Sequence, residues 1–374
     1  MSFYDEIKST GWAEVQKDIE SRSDADVDSA LGTFRSGGVD LGHFMSLLSP
    51  AAGNHLERAA GLAHNITRQR FGNTIGLFAP LYLSNFCNNS CAYCGFNCKN
   101  PIRRLILTPE QAKAEGLFIR NMGFRSLLLV AGEAPQVASL DYFVETAQTL
   151  RPLFPSLGLE IYPMSVEEYR PLIDCGVDGL TVFQETYNET AYELFHLGGK
   201  KKDYKWRLET PERGGEAGFR RLGLGALLGL DNWRVEAFFM GLHAKYLMRK
   251  YWRAQISISF PRLRPAAGAF EIPQEVSDKD FAQLLIALRL FLPDAGFTLS
   301  TREPPQLRDN LLALGITSMS AGSKTDPGGY THPQAQDAEA QFEISDDRDP
   351  GTVAEVIRQK GYEPVWKDWD EALS

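Results

Sequence analysis

Three cysteines, Cys87, Cys91 and Cys94, stand in a C-x3-C-x2-C arrangement directly after the apolar run Leu77 to Leu83. The run reads as a strand, so the three thiolates share the loop that leaves it. Thiolates this close can hold three irons of a [4Fe-4S] cube and leave the fourth iron open to a substrate, whereas a fourth protein ligand would close the site. An open iron implies chemistry at the cluster. Cys98 extends the pattern to C-x3-C-x2-C-x3-C and keeps two further readings in play, a closed iron–sulfur site and a structural zinc knot. Cys175, alone in Leu172-Ile-Asp-Cys-Gly-Val, reads as a small buried residue at a helix end.

Such a loop needs a scaffold. From Leu77 onward, short β-rich apolar runs near 77–83, 126–131, 158–162, 179–183, 222–228, 255–260, 296–300 and 316–320 alternate with longer amphipathic segments. Eight strand–helix units predict an α/β fold, a (β/α)8 barrel over 73–323. Residues 1–72 read as an N-terminal helical cap, with a helix from Asn54 to Arg70, and 324–374 as a C-terminal extension packing on the barrel. Within that extension, 324–349 reads as a loop and Gly351 to Lys360 as a helix. Polar residues then fall at strand carboxyl ends: Cys87 after the first strand, Glu133 after the second, Tyr162 at the end of the third and Glu185 after the fourth. Ser259, Arg302 and Ser320 close or follow the sixth, seventh and eighth. In a parallel barrel these ends face one mouth, which predicts a single site. Glu160 and Tyr162 alternate along the third strand and are expected to share its inward face.

Composition narrows the class. A 374-residue chain with 43% hydrophobic and 23% charged residues has ample core, and a net charge of -9 argues against a general nucleic-acid or anionic-membrane binder. No apolar stretch approaches the roughly 20 residues that span a bilayer, so the cytoplasm is the expected compartment. Five cysteines, four of them between 87 and 98, suit a metal site in a reducing compartment better than a disulfide framework. The basic stretch Phe195 to Arg207 reads as a solvated loop rather than a lid, and the helical apolar spacing of Val235, Phe238, Phe239, Leu242 and Tyr246 reads as core. The histidines show no metal-binding spacing.

The cysteine loop, with an aromatic just before its last cysteine, resembles the radical S-adenosylmethionine (SAM) enzymes. Seven segments in order extend the likeness to the tyrosine lyases of the 2-iminoacetate synthase family: Leu81–Phe96, Val130–Glu133, Gly223–Gly229, Ser257–Pro265, Leu299–Glu303, Met319–Ser323 and Glu363–Trp369. The resemblance implies a [4Fe-4S] cluster on Cys87, Cys91 and Cys94, SAM chelated at the open iron, and a 5'-deoxyadenosyl radical that takes a hydrogen from tyrosine. Cleavage of Cα–Cβ then gives 2-iminoacetate and p-cresol, the former supplying the thiazole of thiamine. By the same resemblance Glu133 accepts from the methionine amine, and Glu185 holds the ribose or methionyl part. Glu160, Tyr162 and the backbone at Gly225 complete the cofactor site, and Arg302 with Ser320 binds the substrate carboxylate. Arg264 is either a second cation or the structural partner of a loop acid.

The implied partners are a thiazole synthase subunit and a low-potential donor such as flavodoxin or ferredoxin, with Trp366 and Trp369 either docking the subunit or covering the barrel. Two related lyases share the frame. A tryptophan lyase differs only in its ring pocket, and the tyrosine-cleaving hydrogenase maturase uses a further cysteine-bound cluster, for which no cysteine follows Cys175.

Overall fold

The computed structural model describes residues 2–34, 39–264, 266, 270–331 and 340–367. Eight parallel strands pair in chain order: β1 (Thr74–Ser84), β2 (Ser126–Ala131), β3 (Ser156–Glu160), β4 (Gly179–Glu185), β5 (Arg221–Ala226), β6 (Gln255–Ser259), β7 (Gly296–Leu299) and β8 (Ser318–Ser320). β8 returns to β1 through Gly76 to Phe78, and β1 pairs with β2 from Ala79 onward, so the barrel closes as expected. A ninth strand that the sequence analysis did not anticipate, β9 (Glu363–Val365), pairs with Thr74 to Gly76 at the start of β1.

The strands alternate sharply. Outward positions such as Leu77, Leu81, Leu129, Leu159, Leu224 and Ile258 are buried under the surrounding helices, and burial of each such side chain stabilises the fold by about 1.5–3 kcal/mol. Many inward positions are small or hydroxylated, among them Gly76, Gly158, Gly179, Gly223, Ser257 and Thr298, and with the larger Phe78, Tyr82, Leu128 and Phe183 they line a cavity of about 620 Å3. Barrels of this type are ordinarily filled by layers of branched side chains; this one is hollow.

Helix starts are set locally. Thr108, Ser165 and Ser277 each accept a hydrogen bond from the backbone N–H of the third helical residue, whose own side chain accepts one from the cap N–H, an arrangement that satisfies two otherwise orphaned donors. The N-terminal helices lie against two outer helices of the barrel, Trp233–Lys250 and Asp278–Phe291. Phe44 stacks on Phe291 at 4.1 Å and Trp12 on Phe239 at 5.4 Å. Phe3 stacks on the buried His243 at 4.1 Å, and that ring's Nδ1 lies 3.1 Å from the Tyr187 hydroxyl, so His243 is a hydrogen-bonded core residue. Trp366 packs over Gly123 and against the Phe124 ring at 5.3 Å, covering the barrel floor, while Trp369 lies outside the described residues.

Candidate active site

β1 delivers the cysteine loop, and two devices hold it. Arg104 donates to the carbonyls of Asn85 (2.6 Å), Phe96 (2.9 Å) and Asn97 (2.6 Å), drawing both ends of the loop together. On its other side the loop pairs antiparallel with 195–198: Ala92 N donates to Phe195 O at 2.9 Å, Leu197 N to Ser90 O at 2.9 Å and Ser90 N to Gly198 O at 3.0 Å. The segment read as a solvated loop is therefore a clamp. Tyr93, between the second and third cysteines, donates to His196 Nε2 at 2.8 Å, because His196 Nδ1 is committed to the Tyr192 carbonyl at 2.7 Å. Burial and the nearby Lys201 hold that imidazole neutral, pushed down to about 3.

Glycine at 132 is what lets the turn after β2 approach. A Cβ there would strike the Phe86 carbonyl and lie 3.1 Å from Cys87 Cβ. Cys87 and Cys94 pack with Tyr82, Phe96 and Val130. Burial pushes the Cys91 thiol up to about 12, with the neighbouring Cys94 and Cys87 adding to the effect and Lys201 opposing it. Such thiols release their protons to iron rather than to water. Cys98 is exposed, and its backbone N–H donates to Asn89 O at 2.9 Å. Among the described residues no three His, Cys, Asp or Glu side chains converge on one ion, as a zinc knot would require. Three soft thiolate donors on one loop suit an iron–sulfur cluster by their chemistry.

Around them stand the carboxylates. Glu133 is buried, and one of its oxygens accepts from Asn89 Nδ2 at 2.7 Å. Glu185 sits at a bulge in β4 with φ 73°, a left-handed backbone that a non-glycine residue adopts at a cost of about 1–3 kcal/mol. The bulge turns its side chain to Lys201 Nζ (2.6 Å) and Arg207 (3.4 Å). Both cations lie in the clamp segment and were missed in the sequence. Their attraction outweighs desolvation and holds the Glu185 carboxyl below its ordinary value. Glu185, Lys201, Tyr93 and Cys94 enclose a cavity of about 60 Å3 that shares Glu160 and Arg302 with the larger one.

Glu160 ends β3 and lines both cavities. Desolvation raises it to about 7; Arg302 opposes the rise and Glu185 adds to it. Because the native state then holds this proton more tightly than the unfolded chain, Glu160 withdraws stability as pH climbs from about 4.5 to 7. Glu160→Gln is expected to melt at a higher temperature than the parent at pH 8, with the gap shrinking by pH 5. A calorimetric scan at the two pH values checks this, and an unchanged gap would contradict it.

Arg302 stacks on the Phe342 ring at 3.3 Å. Desolvation lowers its value, with Tyr82 and Glu160 counteracting, and among the described residues its guanidinium makes no hydrogen bond or ion pair. Ser320 lies nearby in the same cavity lining, its carbonyl bound by Arg308. Arg308 also pairs with the fully buried Asp346, anchoring a strap over 340–346 across the mouth. Strap residue Gln341 accepts from Tyr82 OH at 2.8 Å and from Gly95 N at 3.2 Å.

The expectation for Tyr162 is corrected, and two open alternatives are decided or narrowed. β3 ends at Glu160, so alternation stops there: the Tyr162 hydroxyl donates to Ala138 O at 2.9 Å, its ring packs on Phe143 at 5.8 Å, and it lines neither cavity. Sheet packing by itself requires glycine at 225, since a Cβ would strike the Ser259 carbonyl and lie 2.8 Å from the Phe183 ring. Gly225→Ala should lower the stability by about 1–3 kcal/mol, the usual cost of overpacking, measurable by urea unfolding; an unchanged midpoint would count against that contact. Arg264 is the structural partner of a loop acid, pairing at 2.8 Å with the buried Glu303, which Arg262 also holds.

A parallel barrel that hands three thiolates from its first strand to a mouth of carboxylates and one unpaired arginine has the frame of a radical SAM enzyme. The pattern of the Radical SAM superfamily matches residues 81–239, and that of the Biotin and Thiamin Synthesis associated domain matches 259–363. The superfamily's [4Fe-4S] cluster and SAM are the cofactors this site fits. The chain is 44% identical over 375 residues to the 2-iminoacetate synthase of Escherichia coli strain K12, covering 100% of this chain and 98% of that one, and equally so to the protein of that name from Salmonella typhimurium. It belongs to the 2-iminoacetate synthase family. Among solved structures, HydG, a maturase of the [FeFe]-hydrogenase, superposes with a TM-score of 0.89 at 33% identity, covering 95% of this chain and 80% of that one. The HydG of Carboxydothermus hydrogenoformans gives 0.85 at 31% identity, covering 98% and 83%.

Proposed function

We propose that the protein is a radical SAM lyase that cleaves the Cα–Cβ bond of L-tyrosine to 2-iminoacetate and p-cresol, supplying the thiazole moiety of thiamine. Full-length likeness to 2-iminoacetate synthases carries the reading. The unpaired, desolvated Arg302 supports it, as the cation that an amino-acid carboxylate requires.

Bound SAM, reduced through the cluster, supplies the radical that starts the reaction. The protein's part is to place groups and exclude water. Cys87, Cys91 and Cys94 hold the cluster, Glu133 takes the methionine amine on the carboxylate oxygen that Asn89 leaves free, and Glu185, steadied by Lys201 and Arg207, faces the ribose side. Arg302 takes the tyrosine carboxylate in a bidentate grip while Phe342 fixes the guanidinium plane. Glu160, ionised above about pH 7, receives the substrate ammonium. The strap over 340–346 closes the mouth and strengthens each of these contacts by removing solvent.

Since 2-iminoacetate is hydrolysed readily, transfer to a bound thiazole synthase subunit protects it, and we place that subunit and a flavodoxin or ferredoxin as the partners. The setting is the cytoplasm, where both are reducible; among the described residues no helix is long and apolar enough to cross a membrane.

The test is anaerobic reconstitution followed by SAM, dithionite and tyrosine, with tryptophan in parallel. Tyrosine-dependent p-cresol with glyoxylate, the hydrolysis product of 2-iminoacetate, supports the reading. Deoxyadenosine without p-cresol moves the substrate elsewhere, and neither product from an intact cluster ends the assignment.

A further inference from the structure

We propose that three hydroxyls, those of Ser259, Thr298 and Ser318, form a specificity pocket that receives the phenol of the substrate and selects a 4-hydroxyphenyl side chain. The inference rests on the tyrosine-cleavage reading and adds to it the residues that recognise the ring.

Register brings the three together. Ser259 on β6 pairs with Thr298 on β7, and Thr298 pairs with Ser318 on β8. Residues in register on neighbouring strands share a face and stand roughly 5 Å apart, and all three line the large cavity. They form one hydroxyl row across three adjacent strands. Thr298 Oγ1 and Ser318 Oγ lie 2.9 Å apart, so one donates to the other. The receiving hydroxyl keeps its own proton, and the donating one keeps lone pairs. Ser259 Oγ makes no hydrogen bond among the described residues. The row therefore offers both a donor and acceptors, the pair of functions that a phenol answers. Alanine and valine would serve at these positions if packing were the only demand.

Depth is the second observation. Ser318 precedes Ser320 by two positions on β8 and shares its inward face, so the row lies roughly 7 Å further into the barrel than Ser320. By standard bond lengths, tyrosine spans about 7–8 Å from its carboxylate carbon to its phenol oxygen. A substrate held by its carboxylate at Arg302 and Ser320, with its ring directed down the lumen, therefore brings its hydroxyl to the row. The flanks of the row suit the ring itself. Phe183 lies against Gly225, the β5 neighbour of Ser259, where a Cβ would be 2.8 Å from the ring. On the other side Phe78 of β1 pairs with Ser320, and both phenylalanines line the cavity. Aromatic neighbours favour an aromatic guest, and the hydroxyls between them give the pocket one polar spot. Phenylalanine fills the same space but leaves that spot unanswered, which a site built for a hydroxyl penalises. Tryptophan brings only a donor, the indole N–H, to a row that asks for a donor and an acceptor.

The test is calorimetric titration of the reconstituted protein, with SAM present and reductant absent so that nothing turns over. The ligands are L-tyrosine, L-phenylalanine and L-4-methylphenylalanine, in which a methyl replaces the hydroxyl. The parent is expected to bind tyrosine about tenfold or more tighter than either analogue, as the loss of one well-placed hydrogen bond predicts. Thr298→Val combined with Ser318→Ala removes both members of a bonded pair, so no partner is stranded and the fold is spared. In that variant tyrosine should weaken about tenfold while 4-methylphenylalanine tightens, reversing their order. Ser259→Ala, which removes a hydroxyl bonded to nothing in the protein, should move the ratio the same way by about threefold and carries the test if the double variant loses its cluster. A parent that binds tyrosine no tighter than phenylalanine, or variants that weaken all three ligands alike, overturns the pocket. Tyrosine bound with the expected selectivity but yielding no p-cresol after reduction overturns only the lyase reading.

Discussion

Arg302→Ala is expected to lower kcat/KM for tyrosine by a factor of about 10^2 to 10^3 or more while the cluster keeps its absorption and electron paramagnetic resonance spectra. The guanidinium is already stacked on Phe342 and desolvated, so the protein has met the cost of burying it before substrate arrives. Removing one partner of a buried charge pair costs about 3–5 kcal/mol, and each 1.4 kcal/mol is about tenfold. Arg302→Lys keeps the charge but not the fork, and should recover only part of the loss. SAM cleavage without tyrosine should survive in both variants, because Arg302 is no part of the cluster loop. Tyrosine cleavage within tenfold of the parent would remove Arg302 from its role.

Cys91→Ala should lose the cluster and with it all deoxyadenosine, whereas Cys98→Ala should keep both. Cys91 is buried, and its thiolate lies among Cys94, Cys87 and Lys201. Cys98 is exposed, with its backbone N–H committed to Asn89. Iron and sulfide analysis after anaerobic reconstitution separates the two. Equal iron loss in both variants would mean a four-cysteine site, closed to SAM, and would end the reading of an open iron.

Much of this was legible because the barrel turns strand order into position. Cys87, Glu133, Glu185, Arg302 and Ser320 were found from one regularity, that they follow or close strands, and the structure sets them about one mouth. The same regularity misled where it was extended too far: Tyr162 stands two residues past the end of β3, so period-two alternation no longer governed it. Lys201 was hidden in a run of three lysines whose neighbours Lys200 and Lys202 are indeed exposed; only contact with Glu185, 16 residues earlier, singles it out. The strap over 340–346 carried no signal because its anchors, Arg308 and Thr301, lie far away in sequence. The hollow lumen had a signal that went unread, Gly-Leu-Gly in β5, Ser-Ile-Ser in β6 and Ser-Met-Ser in β8, an alternation unusual for a parallel barrel, whose strands ordinarily read as near-continuous apolar runs.

The strap also sets an order of assembly. Its residues leave the ribosome long after the cysteine loop, and its anchor joins Asp346 to Arg308 across 38 positions, while its contact with Tyr82 spans 259. Contacts so distant in sequence form late. The cysteine loop and the clamp that grips it are both translated well before, so during synthesis the iron site takes shape under an open roof. Iron delivery to the nascent chain has free access, and the water-excluding enclosure that radical chemistry demands arrives only once the strap has followed.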